Sequence, residues 1–184
     1  MNKKMISGGV ALGVLVVSAF AFGGSKSGLK AGENVTPFHP KHISGPLAGT
    51  DKCFPCTFQA RPQVQVWING DDAKNVDAIT KNLQAQIVKN KKSEFKALVV
   101  ILGDEKNSKA YMDWAKATSS KDVSIAVLPK NDEAVSAYKI NTAADVKNTV
   151  VVYKDWKVAT SFVNLKGDSK GLGQLDTAIA GLIK

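Results

Sequence analysis

The chain has 184 residues, 44% hydrophobic and 22% charged, a balance that excludes a disordered polyelectrolyte and fits one globular domain plus a leader. Its net charge of +9 rests on lysine, with Arg61 the only arginine among 25 cationic side chains. Nucleic-acid and phosphate sites recruit arginine for its planar fork, and the lysines are scattered along the chain except at Lys89, Lys91 and Lys92. A solvated basic surface is therefore expected, and a nucleic-acid partner is not.

Met1 to Lys4 carries two lysines and no acid, Ile6 to Phe22 is apolar and uncharged, and Ala19-Phe20-Ala21 has the small-x-small form of a cleavage site. Such a start is expected to be a secretory signal peptide over residues 1–21. The mature protein is then periplasmic or secreted, with no stable membrane insertion. The alternative is an uncleaved anchor, because a run of about 17 apolar residues reaches the lower limit for crossing a bilayer. Residues 22–35 are rich in Gly, Ser and Lys and are expected to be a flexible linker.

Residues 36–62 change character. Pro37, Pro40, Gly45, Pro46 and Gly49 impose turns, while Phe38, Ile43 and Leu47 offer apolar anchors, so an irregular extension is expected to lie on something. It holds both histidines, His39 and His42, and both cysteines, Cys53 and Cys56. Thr50 or Asp51 is a candidate cap for a short helix over 52–60, closed by Pro62. That would place Cys53 near a helix N-terminus, where N–H groups stabilise a thiolate.

Three chemistries compete for the cluster. As a redox pair, Cys53 presents an exposed sulfur that attacks a partner disulfide and Cys56 resolves the mixed disulfide. A C-x-x-C bond closes a very short loop and gains little entropy as a staple, which favours this reading. As a structural disulfide, the pair only pins the irregular segment. As a metal site, His39, His42, Cys53 and Cys56 supply two ligand pairs for tetrahedral zinc, against which stand the His-first order and the oxidising compartment. No cofactor is expected in the first two readings. A thiolate-stabilising or proton-shuttling role for either histidine belongs to the first.

From Gln63 the pattern is regular. Val64, Val66 and Ile68 alternate with Gln63, Gln65 and Trp67, a strand with one buried face. Val76, Ile79, Leu83 and Ile87 line an amphipathic helix behind Asp71 and Asp72. Ala97 to Leu102 and Val123 to Leu128 are continuous apolar runs, as in strands covered on both faces. Between them a helix begins at Asn107 or Ser108, with Tyr111, Trp114 and Ala115 inward. A short helix opens at Asp132 and buries Val135 and Tyr138. Residues 149–153 and 158–163 form a hairpin with Trp156 at its tip, and the last helix carries Leu172, Leu175, Ile179 and Leu182.

This order predicts an α/β domain over 63–184, with a central mixed sheet flanked by helices. The segment 137–140, the hairpin 149–158 and the closing helix 175–183 resemble the end of the thioredoxin fold. The resemblance implies a thioredoxin-like exported protein acting on protein thiols or disulfides, or a non-catalytic thioredoxin-fold scaffold. It also exposes a departure. In thioredoxins the C-x-x-C follows the first central strand, and here that place is Asn69 to Lys74, with Asp71 and Lys74 where the thiols would fall. The family's cis-proline would fall near Asn148.

Overall fold

The computed structural model describes residues 25–104 and 108–183; the expected signal peptide lies outside them. A six-stranded sheet has the order β1-β4-β3-β2-β5-β6, with β1 at Lys41–Ser44, β2 at Gln63–Ile68, β3 at Lys96–Leu102, β4 at Ser124–Leu128, β5 at Asn148–Lys154 and β6 at Lys157–Val163. The three central strands β4, β3 and β2 run parallel, while β5 and β6 are antiparallel and so is β1. Each parallel pair needs a crossover helix, supplied by α2 (Ala73–Lys89) and α3 (Lys109–Ala117). Two short helices, α1 (Phe54–Phe58) and α4 (Glu133–Ala137), and the closing α5 (Ser169–Ile183) complete the domain. The expected α/β domain, a central mixed sheet flanked by helices, holds.

The sheet has a core on each face. Val64, Val66 and Ile68 pack with Val76, Ile79 and Leu83 of α2 and with Leu175 and Ile179 of α5. On the second face Trp67, Leu98, Val100 and Tyr153 meet α4 and the N-terminal extension, through Leu29, Val35, Phe38, Leu47 and Phe54.

Three sequence expectations are corrected here. The stretch expected as a flexible linker is docked from Ser25 onward: Gly32 N–H donates to the Val158 carbonyl, Val158 N–H to Glu33, and Val35 N–H to Trp156. Leu29 and Val35 are the anchors that hold it. The extension is also part of the sheet, because β1 pairs with β4 at the far edge. It thus runs from the β6 edge, over the second face, to the β4 edge, and occupies donors and acceptors that a bare edge would expose. Gly45 ends β1 at φ +86°, and a Cβ there would stand 2.2 Å from the Val123 carbonyl oxygen; only glycine permits that approach.

The third correction concerns β2. Its expected solvent face is buried, and Gln63 and Gln65 are as enclosed as the valines. Burial demands partners, and a chain of bonds supplies them. Gln63 Nε2 donates to the Gln59 carbonyl at 2.8 Å, Tyr153 Oη to Gln63 Oε1 at 2.7 Å, and Gln65 Nε2 to Tyr153 Oη at 2.8 Å. Trp67 Nε1 donates to Gln65 Oε1, and Tyr138 Oη to the Thr36 carbonyl. Burial drives the phenols of Tyr138 and Tyr153 well above their ordinary range.

Candidate functional site

Cys53 and Cys56 form a disulfide with Cα atoms 5.2 Å apart. The local cause is a helical turn that begins at the first cysteine. Cys53 has extended backbone, φ −62° and ψ 117°, and is itself the cap of α1, so the expected cap at Thr50 or Asp51 is displaced by two or three residues. Pro55 stands in the first turn, where its missing N–H costs nothing. The Cys56 N–H donates to Cys53 Sγ at 3.2 Å, and Thr57 donates twice to the Cys53 carbonyl, from its N–H at 3.0 Å and its hydroxyl at 2.8 Å. Phe54 drives α1 onto the second core, and Phe58 lies edge-on to it.

The expectation of an exposed Cys53 is corrected. Cys53 is 5% exposed, whereas Cys56 is partly open to solvent. The side chain that fixes α1 on the core, Phe54, directly follows Cys53 and draws it inward.

Both histidines are engaged in holding the approach to Cys53. His39 Nδ1 lies 3.0 Å from the Asp51 carbonyl and His42 Nε2 lies 2.9 Å from the Lys52 carbonyl. A carbonyl only accepts, so each of these ring nitrogens donates. His42 is 2% exposed on β1, and burial holds its pKa below the ordinary histidine value. The four residues of the zinc alternative do not form a donor set. Two are bonded to each other, two are turned to backbone carbonyls, and among the described residues no three His, Cys, Asp or Glu side chains meet in a way that would hold a metal ion.

The place where a thioredoxin would carry its thiols is filled by a polar net that sequence reasoning did not anticipate. Asp72 caps α2 by accepting from the N–H groups of Lys74 and Asn75. Asp71 is buried, and its carboxylate accepts from the side-chain amides of Asn75 at 2.7 Å and Asn148 at 2.5 Å. Asn148 also binds Leu165 in both directions, through its amide at 3.0 Å and its carbonyl at 2.9 Å. Tyr111 donates to the Asp71 carbonyl. The signal was the two departures themselves: the positions of the missing thiol and the missing proline, Asp71 and Asn148, bond to each other. Among the described residues there is no cis peptide bond.

No family model matches the chain, and no curated protein matches it. Solved structures do. A Chlorobium tepidum protein assigned as the thiol:disulfide interchange protein DsbE superposes with a TM-score of 0.63 at 12% identity, over 85% of this chain and 99% of that one. The thioredoxin domain of a Bacteroides vulgatus thiol-disulfide oxidoreductase gives 0.58 at 13% identity, over 82% and 99%. Mycobacterium tuberculosis peroxidoxin BcpB gives 0.57 at 14%, over 84% and 96%. The fold is thioredoxin-like.

Proposed function

We propose that the protein is an exported thiol–disulfide exchange protein working through Cys53 and Cys56 on protein thiols or disulfides. The observation that carries this reading is the disulfide at the cap of α1, with the Cys56 N–H aimed at Cys53 Sγ. That N–H and the first turn of the helix favour the thiolate of Cys53 when the bond opens. Thioredoxin-like neighbours that are thiol–disulfide oxidoreductases support the same chemistry. The basic, apolar, Ala-x-Ala leader supports an extracytoplasmic site of action.

The exposures favour one order of events. A substrate thiolate attacks Cys56 Sγ, a bond forms between substrate and Cys56, and the Cys53–Cys56 bond breaks with its electron pair leaving on Cys53. A second substrate thiolate attacks the substrate sulfur of the mixed disulfide and expels Cys56 as a thiolate. The substrate pair is thereby oxidised and the Cys53–Cys56 pair reduced. The reverse sequence reduces a substrate disulfide, with Cys56 attacking and Cys53 resolving. The roles expected from sequence thus exchange places.

A second reading is favoured by the burial of Cys53 and Phe54: a scaffold in which the disulfide pins α1 and the extension. Equilibration in glutathione buffers of graded potential, followed by alkylation and intact mass with zinc measured on the same sample, separates the two. A midpoint within roughly −120 to −270 mV supports exchange. A midpoint far below it, or reduced thiols with bound zinc, overturns exchange and leaves the structural reading.

A further inference from the structure

The lysines that look scattered in sequence converge at one end of the sheet. In this topology the starts of β2, β3, β4 and β6 and the end of β5 share a pole, since Gln63 pairs with both Lys96 and Tyr153. The connection between α2 and β3 brings Lys89, Lys91, Lys92 and Lys96 there. The β5–β6 turn adds Lys154 and Lys157, the approach to β4 adds Lys121, and the approach to β2 adds Arg61. Only Glu94, Asp122 and Asp155 oppose these eight cations in the same loops. This pole therefore holds +5 of the chain's +9. The loops of the opposite pole mix the two signs, with Asp71, Asp72, Asp104, Asp132, Asp145 and Asp168 among their lysines.

The basic pole is also where apolar surface is open. Val88, 64% exposed, is the one large exposed hydrophobic residue among the described residues and directly precedes Lys89. Trp156 is only partly covered at the tip of the β5–β6 turn. We infer that this pole is a docking surface for an anionic lipid bilayer.

The side-chain chemistry selects a bilayer over a nucleic acid. Seven of the eight cations are lysines, which act as point charges and do not form the bidentate forks that read phosphodiesters. The single guanidinium is already engaged, with Arg61 Nε and Nη2 each 3.2 Å from an oxygen of Glu94. A diffuse lysine field flanked by one aliphatic and one tryptophan side chain suits the headgroup boundary of a bilayer. The contact is peripheral, because among the described residues no helix is long and apolar enough to cross a membrane. The first described residues, Ser25 and Lys26, bond Asp145 and Asn141 at the opposite pole.

The test is cosedimentation of the full chain with vesicles of phosphatidylcholine alone and with one third phosphatidylglycerol, at low and high salt. A basic side chain near an anionic surface contributes about 1 kcal/mol. K89Q/K91Q/K92Q is therefore expected to lower partitioning onto the anionic vesicles about a hundredfold, and K89E/K91E/K92E by more than that. K130E/K147E/K166E makes the same change in net charge at the other pole and is expected to leave partitioning near that of the parent. The leader is present in every sample, so differences between variants read the pole. Indifference to the first reversal, or an equal loss from the second, would overturn the inference. So would salt-sensitive binding to a soluble polyanion without binding to vesicles.

Discussion

Two places in this molecule each meet half the description of a thioredoxin-type site. The end of β2 has the position without the thiols, and α1 has the thiols without the position. At the first, Asp71, Asn75 and Asn148 bond one another and the Leu165 backbone. At the second, the cap sulfur of Cys53 accepts from the Cys56 N–H, and the partner sulfur sits on the more open residue. The first arrangement is suited to holding β2, α2 and β5 together, the second to releasing and remaking one bond. The frame of a thioredoxin-type site is thus a structural joint here, and the disulfide lies on a different segment.

The sharpest way to break this comparison is to remove the thiols. Cys53→Ser and Cys56→Ser are each expected to abolish exchange in a thiol–disulfide turnover assay. Cys53→Ser should accumulate a mixed disulfide through Cys56, seen by intact mass under non-reducing conditions, and Cys56→Ser should not. The reverse pattern would restore Cys53 as the attacking group. Removing the anchor of the extension comes next. Phe38 packs against Trp67 at 5.1 Å and Tyr138 at 5.3 Å between ring centroids, so Phe38→Ala is expected to cost about 3–5 kcal/mol in denaturant unfolding. A loss below about 1 kcal/mol would mean that the extension is not integral to the core.

Asn148→Leu tests the other half of the comparison. It leaves the Asp71 carboxylate and the Leu165 backbone short of partners, an expected loss of about 1–3 kcal/mol, with exchange in the folded protein unchanged. A loss of exchange at full stability would return the chemistry to the end of β2. Titration sharpens the role of His42. Its folded pKa lies below the ordinary value, so the unfolded chain takes up the proton first. Stability is fully present above the ordinary histidine pKa and falls as pH drops below it. His42→Gln is expected to flatten that part of the profile of unfolding free energy between pH 7 and 5; an unchanged slope would assign the dependence elsewhere. The smallest expected effect is at Gln59, the residue after α1, which holds φ 47° and ψ −123°. Gln59→Gly is expected to raise stability by about 1 kcal/mol in the same unfolding measurement, because glycine relieves that strain. Destabilisation would show that the side chain earns its conformation.

Much of the fold was legible in local pattern. The apolar runs of β3 and β4, the 3–4–4 spacing of Val76, Ile79, Leu83 and Ile87, and the β5–β6 hairpin report on faces that any packing of this chain must bury. The spacing of Cys53 and Cys56 also allowed the disulfide that the structure forms. What failed to show was burial of polar groups. Gln63 and Gln65 read as a solvent face because polar side chains usually go to water, and partners distant in sequence, Tyr138 and Tyr153, complete the set of bonds that permits their burial.

The sequence by itself determined the element order, the thioredoxin-like class and the residues able to do sulfur chemistry, because periodicity, turn residues and side-chain reactivity are local properties. Tertiary structure decided that residues 25–62 strap both edges of the sheet, that Cys53 turns inward and Cys56 outward, that Asp71 meets Asn148, and that lysines far apart in the chain share one pole. Each of these depends on which distant groups become neighbours, and strand register and crossover direction set that for the whole sheet at once.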